Sequence, residues 1–109
     1  MSNRDLFRLW AEAYTIVITA QAVGVDYLKT VIQKSGKGDQ TWLLSWVSDF
    51  RSYMRGNEHN ILSYVYLPNT KHKYSDREIE KTEDAFWKRL GGRRDLFVSE
   101  AKRFRRLLS

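Results

Sequence analysis

Bulky residues near the start of the chain recur at alternating steps of three and four. Phe7, Trp10, Tyr14, Val17, Gln21, Gly24, Leu28 and Val31 fall on one line of that spacing, which is one face of a helix with coiled-coil-like periodicity. The pattern predicts a long N-terminal helix reaching Val31. Ser2 or Asn3 caps it, and Asp5 lies near the positive end of its dipole. The β-branched run Thr15-Ile16-Val17-Ile18-Thr19 also suits a buried strand. The helical spacing persists on both sides of it, so a helix is the expected state. Gly24 marks either a kink or the close approach of a second helix.

Ser35-Gly36-Lys37-Gly38-Asp39-Gln40 predicts a turn, with Asp39 or Thr41 capping a second helix over residues 41–55. There Leu43, Trp46, Phe50 and Met54 form a narrow apolar stripe, widened by Trp42, Val47 and Tyr53. Arg51 and Arg55 suit the negative end of the dipole, and Gly56 stands at the exit. Asn57 to Asn60 is a polar loop. The apolar run Ile61 to Leu67 is too short for periodicity to decide. No second strand-like run accompanies it, which favours a helix stopping before Pro68. Residues 68–74 read as an exposed loop, with Lys71-His72-Lys73 at its tip. Ser75-Asp76-Arg77-Glu78 is a capping box. It opens a helix to Leu90, with Ile79, Phe86 and Leu90 inward, stopped by Gly91-Gly92. A last helix over 93–108 carries Phe97, Ala101, Phe104 and Leu108 on one stripe. Arg4-Asp5-Leu6-Phe7 recurs as Arg94-Asp95-Leu96-Phe97, too short a match to be a repeat. The expected fold is all-α. One domain spans residues 1–109, a bundle of four to five helices with a long N-terminal helix. Trp46, Phe50, Phe86, Phe97 and Phe104 share its core.

Composition narrows the chemistry. A chain of 109 residues is of single-domain size and buries roughly 65% of its unfolded surface without staples. Four Trp, six Tyr and five Phe exceed what a small core requires, and such residues are frequent interface anchors. The absence of cysteine excludes disulfides, thiolate zinc sites and thiol nucleophiles. No stretch is long enough to span a membrane. Residues 13–25 are uncharged and end near a small-x-small triplet, Ala20-Gln21-Ala22, but Asp5 and Glu12 interrupt the basic start that a signal peptide needs. A cytoplasmic protein with no membrane partner is expected.

Charge is unevenly placed. Residues 1–50 hold five basic and five acidic groups, so the net +6 comes entirely from residues 51–109. From Ala85 onward there are eight Lys or Arg, opposed only by Asp95 and Glu100. Such polarity fits a partner rich in phosphates, or an acidic protein surface. Gly91-Gly92-Arg93-Arg94 places two glycines and two guanidinium forks at a helix start, where phosphate oxygens are favoured. The competing account is a helix stop followed by a charged first turn. Lys102, Arg103, Arg105 and Arg106 extend the field along the last helix, and Lys71 and Lys73 join it if the loop folds back. These eight are the candidate nucleic-acid-binding residues.

Other constellations are weaker. His59 and His72 lack metal-ligand spacing. Asp76, Glu80 and Asp84 align at i, i+4 and i+8 beside Glu83, but Lys81 and Lys88 alternate with them, as on a solvated helix face. Gly36-Lys37-Gly38 lacks the order and the preceding strand of a phosphate-binding loop. No catalytic residue, metal or cofactor is expected. The leading expectation is a non-catalytic helical subunit that touches DNA or RNA backbone without reading sequence, inside an assembly with other protein subunits. In size, charge and helicity alone it is analogous to the small subunits of CRISPR effector complexes; no motif is shared. The alternative is a phage- or plasmid-type inhibitor or adaptor that binds protein through an aromatic and Arg-rich helical surface.

Overall fold

The computed structural model describes residues 1–24, 26–31, 37–66 and 71–108. Ser2 starts the first helix, α1 (Asn3–Val23), through a reciprocal capping box. Its hydroxyl accepts from the Asp5 backbone N–H at 3.1 Å, and the Asp5 carboxylate accepts from the Ser2 N–H at 3.2 Å. The helix does not run on to Val31. Gly24 has φ 114° and its N–H closes on Ala20 O at 2.9 Å. A short second helix, α2 (Asp26–Val31), follows. The long helix is therefore broken rather than kinked. Nothing lies within 4 Å of where a Gly24 Cβ would stand, so backbone conformation, not close approach, calls for glycine here.

The next helix, α3 (Lys37–Ser52), begins earlier than expected. Lys37 to Gln40 form its first turn, so Asp39 complements the dipole from inside the helix instead of capping it. Ser35 and Gly36 of the expected turn lie outside the described residues, as do Leu67 and Pro68 further on. The ambiguous apolar run is helical, in α4 (Glu58–Tyr66). Glu58 and His59 thus belong to a helix, not to a polar loop. Ser75 opens α5 (Asp76–Leu90), its hydroxyl accepting from the Glu78 N–H at 3.2 Å. Gly91, at φ 55°, ends it, and a 3₁₀ turn (Gly91–Arg93) leads directly into α6 (Arg94–Leu108). No strand occurs among the described residues.

The buried side chains form one cluster. Helix α1 packs against α2, α3, α4 and α6, while α5 rests on α4 and α6 on α3. Phe7 is the meeting point. Its ring centroid lies 4.9 Å from Trp87, 5.3 Å from both Phe86 and Tyr66, and 6.2 Å from Phe50. Phe50 extends the set to Phe97 at 5.1 Å, and Trp46 reaches Phe104 at 5.5 Å. The tilted and edge-on pairs among these suit the ring quadrupoles, and Phe7 stacks on Tyr66. All five expected core aromatics are buried. Leu108 and Ile79 are only partly covered, and Thr82 takes a buried place on α5, its hydroxyl donating to Glu78 O at 2.8 Å. The Trp10 indole N–H donates to Val47 O at 3.3 Å, fixing α1 to α3.

Polar clamps close the edges. Glu58 takes both guanidinium nitrogens of Arg89, accepts the Arg55 backbone N–H at 2.8 Å, and so ties the start of α4 to the end of α5. Arg89 also donates to Tyr53 O. The radius of gyration is 14.0 Å, close to the ~13 Å typical of 100 residues.

Candidate nucleic-acid interface

The eight basic residues singled out above divide by what surrounds them. Arg94 and Arg103 tie elements of the fold together. Arg94 donates from Nε to Asn3 Oδ1 at 2.8 Å and from Nη2 to Met1 O at 2.9 Å, with its guanidinium 5.8 Å from the Trp87 ring. It ties the start of α6 to the start of the chain. Arg103 pairs with Asp39 at 2.7 Å and lies over the Trp42 ring at 4.3 Å. Trp42 in turn donates its indole N–H to Glu100. That stack joins α6 to α3. Arg93 is exposed but held 5.6 Å from the Tyr53 ring. The Gly91 N–H is bonded to Trp87 O and the Arg94 N–H to Gly91 O, so two of the donors a phosphate would need are already used.

Lys102, Arg105 and Arg106 lie on the exposed face of α6, at i, i+3 and i+4. The structure continues this face onto α1. The Asp5 carboxyl is held below the ordinary range first by the two Ser2 hydrogen bonds and further by the charges of Arg105 and Arg8. Arg4 and Arg8 also form one side of a cleft that His72 borders. Lys71 and Lys73, both exposed, flank His72. Exposed basic groups therefore stand on α6 and on the adjoining α1, and Lys71 and Lys73 flank His72 at a cleft that Arg4 and Arg8 share with four carboxylates.

The other side of that cleft is acidic. Asp76, Glu80, Glu83 and Asp84 of α5 line it together with the two arginines, Tyr66 and Ile79. The Tyr66 hydroxyl donates to Glu83, and burial together with that carboxylate pushes the phenol above its ordinary range. The row of carboxylates is therefore opposed by arginine charge. Among the described residues no three His, Cys, Asp or Glu are placed to hold a metal ion.

Arg4 and Arg8 were not legible as part of the basic field, because they belong to the half of the chain with no net charge. One signal existed. They stand i, i+4 on the side of α1 away from Leu6 and Trp10, which are fully buried. His59, the other histidine, is partly buried in the first turn of α4, its ring 4.9 Å from Tyr14 and 6.2 Å from Trp10, both edge-on. Burial, with the Arg51 charge, holds its pKa below the ordinary 6.5.

No helix among the described residues is long and apolar enough to cross a membrane. The sequence matches no protein-family model, no curated protein and no solved structure, so function is argued from the arrangement of this chain's own groups.

Proposed function

We propose that the chain is a non-catalytic helical module that contacts the phosphate backbone of DNA or RNA, working inside a larger nucleoprotein assembly. The observation that carries this is the group of exposed cations Lys102, Arg105 and Arg106 on α6 and Arg8 and Arg4 on α1, which packs against it, with Lys71 and Lys73 flanking His72 at the cleft Arg4 and Arg8 border. Cations on rigid helices and a short loop, without a reading helix or wing, attract phosphates without distinguishing bases. The adaptor alternative drew on the surplus of aromatic residues. Most of that surplus is taken up by the core: Phe7, Trp10, Phe50, Phe86 and Phe104 have no exposed surface.

The salt dependence of binding tests the proposal. Each phosphate contact contributes about 0.7 to 0.9 units of slope in log affinity against log salt. Replacing Arg8 and Arg105 together with glutamine is expected to lower that slope by roughly 1.4 to 1.8 units, two such contacts, and to weaken binding equally for unrelated sequences. Arg55→Gln, exposed in the connection between α3 and α4, leaves both quantities unchanged. Failure of the full chain to bind any DNA or RNA at low salt defeats the proposal. So does an equal loss from Arg55→Gln, which would mean a diffuse field and no site.

A further inference from the structure

The cleft that Arg4 and Arg8 border holds both signs of charge. It has a volume of about 670 Å³, and Asp76, Glu80, Glu83 and Asp84 of α5 line it with the two arginines. Among the described residues, neither arginine side chain forms an ion pair or a hydrogen bond with any of these four carboxylates. Opposite charges therefore share one space without closing on each other. The arrangement differs from the Glu58–Arg89 and Asp39–Arg103 pairs, where the charges meet directly.

A compact space of that volume is roughly 9 Å across, about one Debye length at physiological salt. Charges on its border are therefore felt throughout it. Tyr66, also on the border, is acted on by both signs: Glu83 pushes its phenol up, while the charges of Arg4 and Arg8 pull it down. The carboxylates differ in what else they do. Glu83 accepts the Tyr66 hydroxyl. Glu80 and Asp84 stand one turn apart on α5, are exposed, and have no hydrogen-bond or ion-pair partner among the described residues. Their charge serves no bond that holds the fold.

We infer that the α5 carboxylates are a built-in competitor for Arg4 and Arg8, holding down the affinity of the α1 part of the basic surface for polyanions. A carboxylate and a phosphate attract a guanidinium by the same chemistry. The two arginines are sterically open but electrostatically countered. A phosphate that approaches them meets the repulsion of Glu80 and Asp84 as well as the attraction of the guanidinium groups. The carboxylate row thus sets an edge to the surface, and binding tightens when that row loses charge. The inference rests on the nucleic-acid proposal for its biological meaning but not for its electrostatics, because any polyanion experiences the same field.

Titration of the full chain at low salt with two probes, a single-stranded oligothymidylate and inorganic polyphosphate, tests this. Glu80→Gln with Asp84→Asn is expected to lower Kd for both probes by roughly two- to fivefold, the range for exposed charge interactions, with circular dichroism and thermal midpoint retained. Glu78→Gln with Asp49→Asn makes the same change in net charge at exposed sites that do not line the cleft, and its gain is less than half as large. In a background of Arg4→Gln with Arg8→Gln, the gain from the Glu80 and Asp84 changes shrinks to that of the control, as coupling between the two sets requires. No gain, a gain matched by the control pair, or a gain undiminished without the arginines overturns the inference. A chain that binds polyphosphate but no nucleic acid defeats the proposed function alone, and the polyphosphate series then decides this inference. A chain that binds neither probe overturns both.

Discussion

His59 shows how position alters a single side chain. By sequence it lies between Glu58 and Asn60 in a polar stretch and reads as solvated. The fold instead turns its ring against Tyr14 and Trp10 at the join of α1 and α4, and leaves Nε2 buried without a partner. Burial first, and the Arg51 charge second, hold its pKa below 6.5. Above 6.5 neither the folded nor the unfolded chain protonates this ring, so it does not alter stability. As pH falls below 6.5 the unfolded chain takes up the proton before the folded chain does, and stability declines until the folded-state pKa is passed. Urea midpoints compared at pH 7.5 and 5.5 are expected to fall more for the natural chain than for His59→Gln. Equal declines would show that the folded ring protonates as readily as a free one.

At the scale of elements, the amphipathic helices were the legible part. Helices α3 and α6 follow from their stripes, because Leu43, Trp46 and Phe50, and Phe97, Ala101 and Phe104, each occupy a single face with polar residues opposite. Helix α1 was only half legible. Its buried set is Leu6, Phe7, Trp10, Ala11, Ala13, Ile16, Val17 and Ala20, a wide arc that three alanines complete. Neighbours on several sides enclose it, and small residues give no contrast from which that could be read. The stop at Gly24 was equally hidden, since a glycine on an apolar line is compatible with a kink, a contact or an end. Its φ of 114° and ψ of 155° belong to a region that only glycine enters easily. Gly24→Ala is therefore expected to destabilise by about 1–3 kcal/mol, although there is open space for the methyl group. A thermal midpoint at or above that of the natural chain would mean that the α1–α2 junction adopts another conformation at no cost.

At the scale of the molecule, what could not be read was which distant segments meet. The count of charges along the chain marked the second half as basic, yet the proposed surface takes in Arg4 and Arg8, because α1 packs against α6 and borders a cleft with His72. Arg94 and Arg103, prominent in the linear count, also hold elements of the fold together. The core repeats the lesson: its aromatic residues were identifiable one stripe at a time, but not that Phe7 joins them. Fully buried on α1, Phe7 touches rings from α3, α4 and α5. Truncating it removes a large apolar surface and leaves a cavity bordered by stiff rings that do not collapse into it. Phe7→Ala is expected to cost about 3–5 kcal/mol. A domain of this size holds only about 5–15 kcal/mol in all, so the variant stands near the edge of folding. Phe7→Leu keeps most of the volume and is expected to lose clearly less, while Leu96→Ala, at an exposed site, changes little. Urea unfolding of the three variants measures the order. If Phe7→Ala costs no more than Leu96→Ala, the four aromatic neighbours are not packed around Phe7, and α1 does not hold the place at the centre of the bundle that sets Arg4 and Arg8 on the helix adjoining α6.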